Sequence, residues 1–269
     1  MGEYMDKKTM TKVIFIMVAA MAVALLIRGI VLHSKNEKQV QTDIEELPFT
    51  EVEPEGKPYS GYIVVVDAGH GGKDPGKVGV NGTLEKDINL QIALLLKDAL
   101  EEEGITVVLT RHDDGGLYDA NSSNKKMQDM KARLSIIEES KADLVVSIHQ
   151  NSFGDSSVRG PQVFYYESGE NGAEAAELVQ NALNENLEIA RPRVQKGNDN
   201  YYLLTKCSRV MVIAECGFLS NPEEEEFLND KEYQQKIAEA IKRGICEYLD
   251  SQREQKEPLD IKESSEPVI

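Results

Sequence analysis

The chain has 269 residues, 41% hydrophobic and 29% charged, enough for one full hydrophobic core with appendages and too few for two large domains. A formal net charge of −17 argues against nucleic acid as a partner, because phosphate backbones are held by clustered Lys and Arg that this sequence does not display. Three widely spaced cysteines, Cys207, Cys216 and Cys246, make neither a disulfide framework nor a CxxC zinc knuckle; they read as small core residues, with a Cys207–Cys216 bridge as the alternative.

Residues 1–12, predicted to be a cytoplasmic N-terminus, carry Lys7, Lys8 and Lys12. The stretch 13–32 is apolar apart from Arg28 near its end, and its length matches the ~20 residues that cross a bilayer core. A secretory signal shares the basic start and apolar run, but no small-x-small cleavage site follows, which favours an uncleaved transmembrane helix. Lys35 and Lys38 follow the run, so the charge contrast leans only slightly toward an inside amino terminus, with the folded part extracytoplasmic. Residues 33–60 are polar and acidic, with Pro48, Pro54 and Pro58, and read as a linker. The charged, proline-bearing 251–269 reads as a disordered acidic tail.

The folded domain is predicted over 61–250, where strand and helix patterns alternate. Strands are expected at 62–66, 105–110, 144–149, 162–166, 201–204 and 210–215, and helices at 85–103, 127–140, 172–189, 222–228 and 232–249. Apolar strands covered on both faces by helices define an α/β sheet, whose sites sit at the carboxyl ends of strands. His70, His149 and Glu215 all fall at or just beyond such ends.

Those positions carry a chemistry. A hydrolytic zinc takes three protein ligands of imidazole or carboxylate type and keeps one position for water. His70, Glu85 and His149 fill that set, and Glu215 is the separate carboxylate that can accept and return a proton. Cys216 should face away from Glu215, since side chains alternate along a strand. Each residue also has a plain structural explanation: a turn histidine, a helix N-terminal acid at Glu85, a strand-end histidine. His33 falls in the linker and His112 in a loop where solvent is the natural partner. The loop Gly69-His70-Gly71-Gly72 lacks the GK[ST] or GxGxxG of a phosphate cradle, and no GxSxG nucleophile elbow occurs.

Together the blocks 66–72, 74–76, Glu85, 109–111, 142–144, 147–151 and 215–221 resemble the zinc-dependent N-acetylmuramoyl-L-alanine amidases, in that family's order and across about 61–250. The single anchor without wall-binding repeats is most similar to the germination-specific sporulation members. The resemblance implies one domain with a mixed, mostly parallel sheet of about six strands surrounded by helices. It also implies one Zn2+ on His70, Glu85 and His149, with Glu215 catalytic. The implied substrate is peptidoglycan, cut between N-acetylmuramic acid and L-alanine, in spore cortex maturation. Two departures, Ile136-Ile137-Glu138-Glu139 before Ala142-Asp143 and Gln150 where a small residue is usual, touch packing and groove lining. The rival functions are a membrane-tethered wall-binding protein without turnover and a zinc peptidase acting on stem peptides. Whether an activator protein is needed is not written in the sequence.

Overall fold

The computed structural model describes residues 56–169 and 172–256. The predicted anchor, most of the linker and the end of the tail lie outside the described residues, and no helix among the described residues is long and apolar enough to cross a membrane.

Six strands form one mixed sheet: β1 (Ile63–Ala68), β2 (Thr106–Leu109), β3 (Leu144–Asn151), β4 (Gln162–Tyr165), β5 (Lys196–Gly197) and β6 (Met211–Phe218). Their spatial order is β2-β1-β3-β6-β4-β5. β1, β2, β3 and β6 run parallel, while β4 is antiparallel to β6 and parallel to β5. The helices are α1 (Glu85–Glu102), α2 (Lys125–Ser140), α3 (Ala173–Asn186), α4 (Tyr202–Lys206), α5 (Pro222–Asn229) and α6 (Lys231–Lys256).

α1 forms because Ile88, Ile92, Leu96 and Leu100 recur every fourth residue, and all four are buried. It stops in a Schellman turn, with Ile105 N–H donating to Leu100 O at 3.2 Å and Gly104 N–H to Glu101 O at 3.1 Å, Gly104 taking φ of +93°. α1, α3 and α6 cover the sheet face made by Val64, Val66, Ala68, Val146, Ile148, Val212, Ala214 and Cys216. α2 and α4 cover the other face, over Val65, Val145, Phe164, Met211 and Ile213.

Three expectations are corrected. Residues 201–204 are not a strand but the start of α4. Asn198 Oδ1 accepts from Asn200 N–H at 2.7 Å and Tyr201 N–H at 3.2 Å, which turns the chain, and the adjacent Leu203 and Leu204 are then both buried in the α2–α4 cluster. The folded unit also begins earlier than residue 61: Tyr59 N–H donates to Glu103 O at 3.3 Å and its hydroxyl to Asp250 Oδ2 at 2.9 Å. At the other end α6 runs on to Lys256, six residues into the predicted tail. The cysteines are free, and Cys207 and Cys216 pack on opposite faces of the sheet, so no bridge joins them.

Candidate metal centre and active-site cleft

β1, β3 and β6 deliver the site through their odd-numbered side chains. Val65, Asp67, Val145, Ser147, His149, Ile213 and Glu215 share the α2–α4 side of the sheet, while Cys216 faces the opposite core, as alternation requires. Register makes His149 and Glu215 direct neighbours on β3 and β6, just before a bulge between His149 and Asn151. The chain leaves β1 through Gly69 to His70, which adopts φ of +61°, a left-handed conformation unusual outside glycine. Gly69 is needed for space, since a Cβ there would lie 2.3 Å from the His149 ring.

Two buried arginines hold this loop. Arg133 donates to Ala68 O at 2.7 Å and also to His70 O; Arg111 donates to Ala68 O at 2.8 Å and Gly69 O at 3.0 Å. Arg133 is itself paired with Asp67 and Asp129, each at 2.6 Å. Burial opposes the charge on Asp67, but Arg133, Ser147 and Thr110 outweigh it and hold the carboxyl at about 2.

Glu85, the first residue of α1, faces both imidazoles. Its Oε1 lies 2.9 Å from His149 Nδ1 and 3.3 Å from His70 Nε2, and one donor atom from each of the three residues lies within 4.8 Å of the others. Main-chain amides pin the carboxylate, Lys77 N–H on Oε2 at 2.7 Å and Gln150 N–H on Oε1 at 3.1 Å. Asp74 Oδ2 sits 2.9 Å from His70 Nδ1, which keeps the proton of the neutral ring on Nδ1 and leaves the Nε2 lone pair on the Glu85 side for a metal. Burial resists charge on both groups, yet their mutual contacts prevail: Glu85 is held well below the carboxylate range, and Glu85 with Asp74 raises His70 to about 9.

This donor set fits zinc. Ligand bonds of about 2.0–2.1 Å in a tetrahedron place neighbouring donors roughly 3.3 Å apart, close to the two spacings around Glu85 Oε1. The set is two imidazoles and one ionised carboxylate, and the ligand His70 is oriented from behind by a second carboxylate, as such sites require.

Glu215 is 6% exposed and lines the same cleft of about 780 Å³ as His70, Glu85 and His149. Burial raises its pKa, partly opposed by His149 and reinforced by the Glu85 charge. Tyr201 OH donates to its Oε1 at 3.3 Å, while its buried Oε2 has no protein partner. A carboxyl held on one oxygen and unpartnered on the other is suited to taking and returning a proton.

All four residues singled out in the sequence thus meet at one cleft. His112 is exposed, as expected of a loop residue. Of the four tyrosines whose orientation sequence left open, Tyr201 and Tyr202 line the cleft, while Tyr165 and Tyr166 pack against the cores. Sequence reasoning missed Asp74 as the partner of His70 and Asn89, whose amide bonds Glu85 Oε1 at 3.3 Å and Gly69 O at 3.1 Å. The i,i+4 spacings 70/74 and 85/89 were the available signals.

Comparison with known proteins agrees with this geometry. The model of the N-acetylmuramoyl-L-alanine amidase family matches residues 64–247. The germination-specific N-acetylmuramoyl-L-alanine amidase of Bacillus subtilis is 37% identical over 73% of this chain and 83% of its own length. Among solved structures, the CwlD amidase from Clostridioides difficile, in complex with the GerS lipoprotein, is 40% identical with a TM-score of 0.69, over 71% of this chain and 99% of that one. The amidase AmiC2 of Nostoc punctiforme is 37% identical with a TM-score of 0.62, over 71% and 99%. A match across most of the folded unit, running from β1 to α6 and spanning every residue of the metal centre, means that this chain belongs to the N-acetylmuramoyl-L-alanine amidase family.

Proposed function

We propose that the protein is a zinc-dependent hydrolase of peptidoglycan that cleaves the amide between N-acetylmuramic acid and the L-alanine of the stem peptide. The observation that carries this reading is Glu85 standing 2.9 and 3.3 Å from two imidazoles, beside the buried carboxyl of Glu215. His70, Glu85 and His149 would hold the zinc, which when bound supplies Lewis acidity toward the scissile carbonyl and the attacking water. Glu215 takes the proton of that water at Oε2, the oxygen without a protein partner, and returns it to the leaving nitrogen of L-alanine. Tyr201 holds Oε1 and so fixes the direction in which Oε2 points. Asp74 and the main-chain amides on Glu85 keep the ligands in place through the cycle.

Similarity to the germination-specific enzyme of Bacillus subtilis supports spore peptidoglycan as the substrate, and the lipoprotein complex of the Clostridioides difficile relative supports a protein partner for this chain too. Residues 13–32 anchor the protein in the membrane, the stretch from 33 leads to the folded unit that begins before residue 61, and the cleft faces the wall outside the cytoplasm.

Digestion of purified peptidoglycan by the full chain, read by mass spectrometry, tests the assignment. The expected products are intact stem peptides with a free L-alanine amino terminus and glycan free of peptide. Shortened peptides, with L-alanine still on the glycan, would make the protein a peptidase; wall binding without release would make it a scaffold.

A further inference from the structure

The active-site cleft is electrically one-sided. Lys73 and Lys77, from the loop after β1, and Lys125 and Lys126, which open α2, all line it, and among the described residues none of the four forms an ion pair with a carboxylate. In a chain of net charge −17, four lysines without an ion pair, two following β1 and two opening the helix that packs on β1, are a departure from the background. Local stability does not account for them. The first turn of α2 contains no acid, and lysines there oppose the helix macrodipole, which favours anions at that end. Most carboxylates of the same cleft pair first with Arg133 or with the imidazoles; Asp74, bound to His70, also feels the charge of Lys126, and Glu215 is buried, so the lysines are at most partly neutralised. The other side of the cleft lies by β6, on which α4 packs as α2 packs on β1; there Tyr202 and the preceding Tyr201 line the cleft, and no cation of α4 does.

Resting on the amidase reading above, we propose that this polarity orients the substrate, with the stem peptide along the lysine wall and the glycan along the tyrosine wall. The chemistry of the two halves of the substrate matches the two walls. A stem peptide carries side-chain and terminal carboxylates, which lysines recognise as point charges. A glycan is uncharged and offers hydroxyls and the apolar faces of its rings, which suit tyrosines with an apolar body and a polar tip. The scissile amide, at the junction of the two halves, then falls over the metal ligands that lie between the walls. The lysine wall is therefore a specificity determinant for anionic stems, and it acts on binding and on encounter more than on the bond-breaking step.

The test compares two soluble muropeptide substrates, one with free stem carboxylates and one with those carboxylates converted to carboxamides, using the full chain loaded with zinc. The wild type should favour the free-carboxylate substrate in kcat/KM by about tenfold at low salt, chiefly through KM, and the preference should shrink as salt rises. The double variant Lys73→Gln/Lys126→Gln should bring the ratio of the two substrates toward one. A ratio of one in the wild type, or a ratio undiminished in the variant, would overturn the proposal while leaving the amidase assignment intact. Failure of the wild type to cleave either substrate at the L-alanine amide would overturn both.

Discussion

The two faces of the central sheet use the same three strands in opposite ways. On the face under α1, α3 and α6, the even-numbered positions are apolar and fully buried from Val64 to Ala68 in β1, Leu144 to Ile148 in β3 and Val212 to Cys216 in β6, with the polar Gln150 following only at the end of β3. On the face under α2 and α4, the odd-numbered positions start apolar, at Val65, Val145 and Ile213, and turn polar toward the carboxyl ends, at Asp67, Ser147, His149 and Glu215. One face supplies hydrophobic free energy and the other carries the candidate ligand His149, the buried carboxyl of Glu215 and the buried ion pair of Asp67 with Arg133. Because alternation separates the two, the chemistry can be polar without opening the core.

Substitutions that respect this division should separate activity from stability. The largest effect is expected at the polar face: Glu215→Gln should lower hydrolysis by about 10²- to 10⁴-fold while the melting temperature and zinc content stay near those of the wild type, as measured by turnover, thermal denaturation and metal analysis. On the apolar face, Ile148→Ala should cost about 2–5 kcal/mol of stability in urea denaturation without altering zinc stoichiometry in the protein that remains folded. Equal loss of stability at both positions would dissolve the distinction. Asp67 should leave an acid signature. Its folded pKa of about 2 lies below the ordinary value of 3.8, so its charge contributes roughly 2 kcal/mol above pH 4, and that contribution disappears as pH falls through 2. Denaturant midpoints between pH 5 and pH 2 should show the decline, and Asp67→Asn, less stable throughout because Arg133 loses one of its two carboxylate partners, should lack this component. The smallest effect belongs to Asp74→Asn, which should weaken zinc binding about tenfold or somewhat more in chelator competition, with little change in melting of the metal-free protein.

The apolar face was the more legible of the two. Its strands and helices announce themselves by period, and β1, α1, β3, β6 and α5 fall within three residues of their expected bounds. α5 starts at Pro222 as expected, and the structure shows its cap: Asn221 Oδ1 accepts from Glu223 and Glu224 N–H, both at 3.0 Å. The convergence of His70, Glu85 and His149 was legible because each sits where a strand pattern or a helix begins or ends. What the sequence concealed depends on long-range placement. Asp67 and Arg133 are 66 residues apart, and nothing local marks them as partners. Lys73 and Lys77 look unrelated to Lys125 and Lys126 until the fold sets them around one cleft, which is why the chain reads as lacking a basic cluster. The Tyr201–Leu204 stretch has the composition of a strand, and an Asn198 turn with local burial overrode that preference. β5, two residues long, carries no period at all.

The central claim is that His70, Glu85 and His149 hold a single divalent cation and that Glu215 acts beside it without binding it. Metal analysis of the purified full chain, its Glu215→Gln variant and its His149→Ala variant tests this most directly. The account predicts one zinc per chain in the first two and a marked loss in the third; full zinc occupancy in His149→Ala, or loss of zinc in Glu215→Gln, would contradict it.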